Sequence, residues 1–447
     1  MTSKPNEKGL TPKQVLEDGL RPLLGTRLFR VTTLVLALLF AAGVAGLVLR
    51  LQGGFEDRAA WGYYAALFSF LLATAGSAPV AAVLLRLTST DWRRPITRAV
   101  EIFAVVGLLL LLMSIPLLAL QPRAAGRPTI WLGWPLAPHL YDTLALAAFV
   151  ACGLLLFYAS AMPDFAAKRD FAVSGESRWP ARLAWRWQGT VRHWRIQRAV
   201  LALLGAFYLM LLILVHSLIA ADFAESLVPG WKDPLFPVQQ ALVGFQTGLA
   251  TTVVVMALLR RLGFQGHIEL EHFWAMGKIL LAFSLLWAYF WFSGFIVMWY
   301  GRLPVERELL DLFWFGPYLP LFLATLLLNF AGPLAILMWN PLRRSIRWPV
   351  VVSLMIITGT LLEKVRFYVA AYSVAGSATL EQVPAARLPD FPDVLIFVGG
   401  ISGAALMYIL ASRIVPVIAI WEIKEGLLLR ARGALVKLGV WVVAKPE

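Results

Sequence analysis

The stretch AVLALLGAFYLMLLILVHSLIAADF, residues 199–223, decides the class of this protein. No side chain between Ala199 and Val215 is charged, and as an α-helix the whole stretch is about 37 Å long at 1.5 Å per residue. That length crosses the hydrocarbon core of a bilayer, which is about 30 Å thick. The stretch therefore predicts a helix that spans a membrane rather than one that packs inside a soluble domain.

The composition of the whole chain agrees with this stretch. Hydrophobic residues make up 60% of it and charged residues only 15%, whereas soluble proteins are about one quarter charged. Such a chain cannot cover a globular surface with polar groups, which excludes a soluble enzyme and a disordered protein. The single cysteine, Cys152, excludes a disulfide scaffold, and it excludes an iron–sulfur cluster or a cysteine-based zinc site held by this chain alone.

Ten segments are long and apolar enough to span a bilayer, and together they predict an all-α polytopic membrane protein. They cover residues 29–51, 59–85, 99–120, 140–162, 199–221, 237–259, 274–299, 314–338, 348–372 and 394–417. An even number of spans places both termini on the same side of the membrane.

The basic residues predict which side that is. Of the 40 Lys and Arg residues, 29 lie in or beside the segments on one side, 8 lie on the other and 3 lie within spans. By the positive-inside rule both termini are cytoplasmic. The net charge of +14 is thus interpreted as a topology signal and not as a sign of nucleic-acid binding.

Three basic segments invite a second interpretation. The loop 163–198 contains SRWPARLAWRWQGTVRHWRIQR (177–198), and alternating basic and aromatic residues can bind single-stranded nucleic acid. Beside a membrane this pattern favours an interfacial amphipathic helix instead. The N-terminal segment 1–28 and the basic tail 418–447 favour the same structure.

Ionisable residues within spans are costly and are candidates for function. His139 and Asp142 stand three apart at the start of the fourth span, and His216 and Asp222 lie near the end of the fifth. Both pairs fall at the predicted outer face, where a carboxylate or imidazole could accept a proton from each ring oxygen of a quinol. The alternative is that both aspartates cap helices in water while His216 bonds a backbone carbonyl.

The ninth span carries Glu363, Lys364 and Arg366 at a depth of at least ~20 Å from the cytoplasmic surface. Unpaired charges at that depth cost several kcal/mol, so these residues pair or face a wet cavity. Pairing without a further role stays open.

Three more charged residues lie at the predicted cytoplasmic side. Arg98 and Glu101 open the third span at the spacing of a helical ion pair, and Lys278 lies just inside the seventh span. They could begin a proton path. In the alternative, Arg98 and Glu101 only pair and Lys278 extends to the lipid headgroups.

Five blocks resemble, in order, those of the NrfD / polysulfide reductase membrane subunits, and within that family the quinone-module subunits of alternative complex III. The similarity covers about residues 59–426. The blocks are WGYYAALFSFLLATAGSAPVAAVL (61–84), TRAVEIFAVV (97–106), HLYDTLA (139–145) followed by MPDFAAKRD (162–170), VHSLIAADFAESLVPGW (215–231), and GKILLAFSLLWAYFWFSGFIVMWYGRLP (277–304).

The resemblance implies two four-helix bundles related as inverted repeats, with the first and tenth spans outside them. The chain then divides into an N-terminal cytoplasmic segment (1–28), the first peripheral helix (29–58), the first bundle (59–221), the second bundle (222–372), an outer loop with the tenth span (373–417) and a basic cytoplasmic tail (418–447). The resemblance also implies a quinol pocket at the outer end of the first bundle, where Asp142, His216 and Asp222 match family positions. Ala119 stands where the family has a quinol-site histidine, and His139 could substitute for it.

The leading hypothesis is a non-autonomous subunit of a bacterial respiratory oxidoreductase in the cytoplasmic (inner) membrane. It binds menaquinone or ubiquinone at His139, Asp142, His216, Asp222 and Arg366, with Arg98, Glu101, Lys278, Glu363 and Lys364 on a proton path. We expect no haem and no metal in this chain. The predicted partners are membrane lipid, a ferredoxin-like iron–sulfur subunit and other redox subunits, with no nucleic acid.

Two alternatives keep the membrane location. The first is a non-redox anchor or proton-conducting paralogue within such a complex, which Ala119 favours. The second is a secondary transporter with Glu363 and Arg366 near its substrate site.

Overall fold

The computed structural model describes residues 12–121, 139–170, 182–377, 379–380, 383–435 and 438–443, with only the backbone for 12–13 and 427–443. The helices are α1 (Pro12–Leu20), α2 (Thr26–Gln52), α3 (Arg58–Leu87), α4 (Thr97–Leu120), α5 (His139–Asp170), α6 (Val191–Phe223), α7 (Leu235–Leu259), α8 (Leu270–Gly301), α9 (Pro304–Leu310), α10 (Leu319–Leu337), α11 (347–373), α12 (Phe391–Ile414) and α13 (Ile420–Leu429).

Nine helices in the described part of the chain are long and apolar enough to cross a membrane: α2 to α8, α10 and α12. The predicted all-α polytopic fold is confirmed. Helix α11 forms where the ninth span is predicted, and it packs against α3, α7 and α10. It differs from the other nine because it carries the charged residues Glu363, Lys364 and Arg366 in its interior.

The order of the helices places their ends alternately at two ends of the molecule. We call the end where α5 begins and α6 ends the Asp142 end. The opposite end, where α3 ends and α13 lies, is the Arg86 end. In the predicted topology the Asp142 end is the outer one.

Two groups of helices form the interior. The first group consists of α3, α4, α5 and α6, and each of these helices packs against the next. The second group consists of α7, α8, α10 and α11, in which both α7 and α10 pack against α8 and α11. The groups meet where α7 contacts α3 and α6 and where α11 contacts α3. The inverted-repeat relation between the two groups stays a prediction.

The first and tenth predicted spans, α2 and α12, pack against each other beside these groups. Their backbones meet at Gly43 and Gly399, where a Cβ atom on Gly399 would lie 2.3 Å from the Cα atom of Gly43. Small residues allow such an approach in membrane helices. At the Asp142 end, Arg50 of α2 forms ion pairs of 2.5 and 2.7 Å with Asp390 and Asp393, which fixes the relative position of the two helices.

Helix α3 contains a π-helical turn at Leu72–Gly76, just before Pro79. Proline lacks the N–H that would continue the backbone ladder, so nearby carbonyl groups need other partners. The Ser77 hydroxyl donates to the Leu72 carbonyl at 2.9 Å, and the Tyr208 hydroxyl of α6 donates to the Gly76 carbonyl at 2.5 Å. This turn faces α7, at the contact between the two groups.

The structure differs from the sequence predictions at three places. Helix α10 begins at Leu319 rather than at 314, because 311–315 form a π turn after α9 that Gly316 ends. The loop predicted at 163–198 is shorter, since α5 continues to Asp170 and α6 begins at Val191. In the tail, Arg430–Leu435 and Leu438–Val443 pair as antiparallel strands where an amphipathic helix is predicted, and the valines of the second strand favour that structure.

Candidate functional site

Asp142 lies in the first turn of α5 and is buried, with 4% of its surface exposed. One of its carboxylate oxygens accepts a hydrogen bond of 3.3 Å from the amide of Gln121, at the end of α4. His139, three residues earlier, is exposed in the described part of the chain. The segment 122–138 that leads into α5 lies outside the described residues. The structure therefore brings Asp142, but not His139, into the interior, and Gln121 is a neighbour that the sequence interpretation missed.

Asp222 lies in the last turn of α6 and is 1% exposed. The residues that follow include two more acids, Glu225 and Asp233, and Glu225 lies within electrostatic range of both Asp222 and Asp233. Glu225 accepts a hydrogen bond from the Asp233 backbone N–H at 2.6 Å, and Asp233 accepts one from the Leu235 N–H at the start of α7. Burial raises the pKa of Asp233 even though the backbone N–H groups of Leu235 and Phe236 oppose the shift. The sequence interpretation chose only Asp222 from this acidic stretch.

His216 is buried where α3, α6 and α7 meet. Its Nε2 atom lies 2.8 Å from the Ser77 hydroxyl, which also contacts the Leu72 carbonyl. A hydroxyl has one hydrogen, so when Ser77 donates it to Leu72 the imidazole must donate to Ser77. Among the described residues the Nε2 atom of His216 therefore contacts a side chain, Ser77, rather than the backbone carbonyl of the alternative interpretation. The ring lies against Gly244 of α7, where any Cβ atom would overlap it.

Glu363 and Lys364 are fully buried at the centre of the second group. The Glu363 carboxylate accepts hydrogen bonds from Gln240 at 3.2 Å, Trp287 at 3.1 Å and Asn329 at 3.1 Å. The Lys364 ammonium donates to the other end of the Gln240 amide. The two charges are therefore joined through a glutamine rather than by direct contact.

Arg366 lies in the π turn Val365–Val369 of α11 and is fully buried among aromatic side chains. Its guanidinium donates to the Phe313 carbonyl at 3.1 Å, and its carbon lies 4.1 Å from the ring centroid of Phe367 and 5.3 Å from that of Phe322. In the described part of the chain its Nε and Nη2 atoms have no hydrogen-bond acceptor. The structure does not pair Arg366 with the predicted site residues Asp142, His216 and Asp222.

A buried charge cluster lies at the Arg86 end. Arg98 contacts Glu101 at 3.4 Å and Asp164 at 2.9 Å, which confirms that Arg98 and Glu101 pair. Arg86 contacts Glu101 as well, and it contacts Glu422 at 2.5 Å. Arg98 and the three carboxylates are buried, and the Arg86 side chain among them is 12% exposed. The sequence interpretation missed Arg86, Asp164 and Glu422.

Glu422 belongs to α13, in the part of the chain predicted to be a surface tail. Its side chain is fully buried and accepts a hydrogen bond of 2.9 Å from the Thr97 hydroxyl. Burial alone would raise the pKa of Glu422, but Arg86 and Arg93 outweigh it and lower the pKa. Trp421 beside it donates from its backbone N–H to Asp164 at 3.2 Å. Helix α13 therefore closes the Arg86 end.

Lys278 lies apart from this cluster. It is exposed on α8, and its ammonium is 3.9 Å from the ring centroid of Trp274. This position is typical of a lysine that extends towards the membrane surface. The structure does not bring Lys278 to Arg98 and Glu101.

The family follows from a comparison with protein-family models. The model described as "Polysulphide reductase, NrfD" matches residues 53–375, which is more than half of the chain. The chain belongs to the NrfD family. Proteins of the NrfD family are membrane subunits of quinone-interacting oxidoreductases and assemble with other redox subunits. A search of curated proteins found no match, and the similarity of this NrfD protein to alternative complex III subunits stays a prediction.

The buried polar groups of this NrfD subunit extend between its two ends. Asp142 and Asp222 lie at one end, and the Arg86 cluster lies at the other. Between them, His216 lies within electrostatic range of Lys364, across the contact of the two groups. Carboxylate, imidazole and amide groups can each hold a proton or hydrogen-bond one in transit, so the arrangement is suited to proton transfer.

Proposed function

We propose that this NrfD subunit binds a quinol or quinone at the Asp142 end and exchanges the substrate's protons there, while an iron–sulfur partner exchanges the electrons. Oxidation of a quinol releases two protons and two electrons, and the protons leave the two ring hydroxyls. Two buried carboxylates at the same end of adjacent helices, Asp142 and Asp222, supply one acceptor for each proton. This pair is the observation that carries the proposal.

The surroundings of each carboxylate support the assignment. The Gln121 amide beside Asp142 offers a hydrogen bond that can orient a ring oxygen. Asp222 continues into an acidic turn with Glu225, which can pass a proton to the surface. Family membership supports the substrate class.

His216 is the next proton carrier in this proposal. It stands six residues before Asp222 on α6, a rise of about 9 Å at 1.5 Å per residue. That distance exceeds one hydrogen bond, so a proton moving between the two residues needs an intervening water or substrate oxygen. His139 and Arg366 take no part in this step, because His139 is exposed and Arg366 bonds within the second group.

The test replaces both aspartates with asparagine in the complex that the subunit forms with its redox partners. We expect quinol oxidation by the Asp142→Asn, Asp222→Asn protein to fall by about 10²-fold or more, because general-base catalysis typically contributes that much. Asp57→Asn is the matched control, an exposed aspartate at the same end. Wild-type turnover in the double variant, with the complex intact by size-exclusion chromatography, would refute the proposal.

The Arg86 cluster favours a second candidate, a non-redox subunit that conducts protons. A cluster of five charged groups, four of them buried, at the end opposite Asp142 suits a proton-loading site, and the resemblance implies a histidine where this chain has Ala119. Under this function the double aspartate variant keeps its quinol oxidation rate but loses proton uptake into vesicles. Measuring both rates on the same preparation separates the two candidates.

A further inference from the structure

A groove of about 890 Å³ lies at the Arg86 end, between the last turns of α7 and the first turns of α11. Its wall is apolar: Val254 and Leu258 lie one turn apart on α7, and Val350 and Leu354 lie one turn apart on α11. Leu258 and Leu354 remain 52% and 50% exposed. The groove is therefore an apolar channel that opens to the lipid-facing surface.

Three arginines form the mouth of the same groove. Arg260 and Arg261 follow the end of α7, and Arg347 begins α11. No carboxylate is among the described residues that line the groove. The described lining of the groove thus holds three positive charges and no negative one.

The local backbone keeps two of these arginines at the mouth. A π turn, Arg260–Phe264, ends α7, and Gly263 adopts a left-handed conformation with φ of 103°. A side chain is strained in that conformation, so glycine suits the position. Arg260 donates at 2.5 Å to the Ile268 carbonyl, which fixes the turn. Arg261 is exposed.

We propose that this groove binds one anionic phospholipid, with the headgroup phosphate on the arginines and an acyl chain along the apolar wall. Guanidinium groups bind phosphate oxygens in a bidentate manner, and basic pockets between membrane helices bind acidic headgroups. A free phosphate would leave the half-exposed leucines uncovered, whereas an acyl chain covers them. Charge and apolar surface together therefore select a lipid. The site is independent of the proposed quinone chemistry.

The test uses the purified complex in nanodiscs. Thermal unfolding is measured in phosphatidylcholine alone, with added phosphatidylglycerol or diphosphatidylglycerol, and with inorganic phosphate, and bound lipid is identified by native mass spectrometry. The variant is Arg261→Gln, Arg347→Gln, which leaves the structural Arg260 in place. The control is Arg192→Gln, Arg195→Gln, a pair of exposed arginines at the same end that do not line the groove.

We expect anionic lipid, but not phosphate, to raise the unfolding temperature of the wild-type protein and of the control above its value in phosphatidylcholine alone. In the groove variant the lipid concentration needed for this effect should rise at least tenfold, with loss of the lipid adduct. Equal lipid response and adduct in the groove variant and the control would overturn the proposal. A full response to phosphate alone would overturn it too, because it would show an adventitious anion site.

Discussion

The contact between α13 and the Arg86 cluster gives a prediction whose size follows from the geometry. Glu422→Gln keeps the shape of the side chain but removes a fully buried carboxylate that Arg86 contacts at 2.5 Å. Removing one partner of a buried ion pair typically costs about 3–5 kcal/mol. The glutamine oxygen can still accept from Thr97, so we expect a cost near the lower limit, about 3 kcal/mol.

Hydrogen–deuterium exchange of the α13 backbone reports this cost. A change of about 3 kcal/mol in the free energy of local opening corresponds to roughly 100-fold faster exchange, because 1.4 kcal/mol is a factor of ten. The matched control is Glu425→Gln on the same helix. Glu425 contacts Arg198 at 3.0 Å, but the two side chains are 25% and 61% exposed, so the pair contributes at most about 1 kcal/mol. Exchange in Glu422→Gln within fivefold of the control would refute the reasoning.

The effect also depends on pH. The folded pKa of Glu422 is below the ordinary value of 4.5, because Arg86 and Arg93 outweigh its burial. A lowered folded pKa means that the stabilisation is present above that ordinary value and is lost as the pH falls through the folded pKa. After correction for intrinsic exchange, the difference between wild type and Glu422→Gln should persist at pH 7 and shrink below pH 4.5. A difference that does not change with pH would contradict ionisation of Glu422.

Two further predictions concern helix packing and the second group. Gly399→Val should lower the free energy of unfolding by about 3 kcal/mol, because a side chain there meets the backbone of α2. Thermal unfolding measures the loss. The control is Gly25→Ala, which should have little effect because a Cβ atom at Gly25 meets nothing within 4 Å. Trp287→Phe should cost about 1–3 kcal/mol because it removes a donor from the buried Glu363 carboxylate. Trp291→Phe removes an indole N–H without a partner among the described residues, so an equal loss of stability in both variants would contradict the assigned bond.

The fold could be predicted because uncharged runs as long as 199–215 admit few structures other than a spanning helix. The residues at which the helices begin and end were harder to predict. Residues 312–318 carry no charge and could be assigned to the span, whereas the structure separates them from α10 at Gly316. Hydropathy measures the cost of transfer to lipid and does not report where a helix breaks.

The candidate site could be predicted in part. Burial of Asp142, His216 and Asp222 follows from their places in apolar helices, but position alone does not identify Gln121 or Ser77 as partners. These partners come from other helices, and helix contacts cannot be read from the spacing within one segment. His139 shows the same difficulty, since a position one helical turn from Asp142 did not place it in the interior.

The Arg86 cluster was missed for a related reason. Arg86 lies at the end of a predicted span and Glu422 in the predicted tail, and both positions ordinarily face water. The structure buries Glu422 and leaves only 12% of the Arg86 side chain exposed, because α13 folds back over the end of the helices. The burial of a charge at a span end depends on what covers it, which local sequence does not contain.

The distance along the chain between Arg86 and Glu422 has a consequence for biogenesis. These residues are 336 positions apart, so Glu422 leaves the ribosome long after Arg86 has entered the membrane. At 5–20 residues per second the interval is roughly 20–70 s. During that time Arg86 has Glu101 as its acidic neighbour, and the end of the helices is uncovered. The Arg86 cluster therefore reaches its final arrangement only after α12 and α13 have been synthesised.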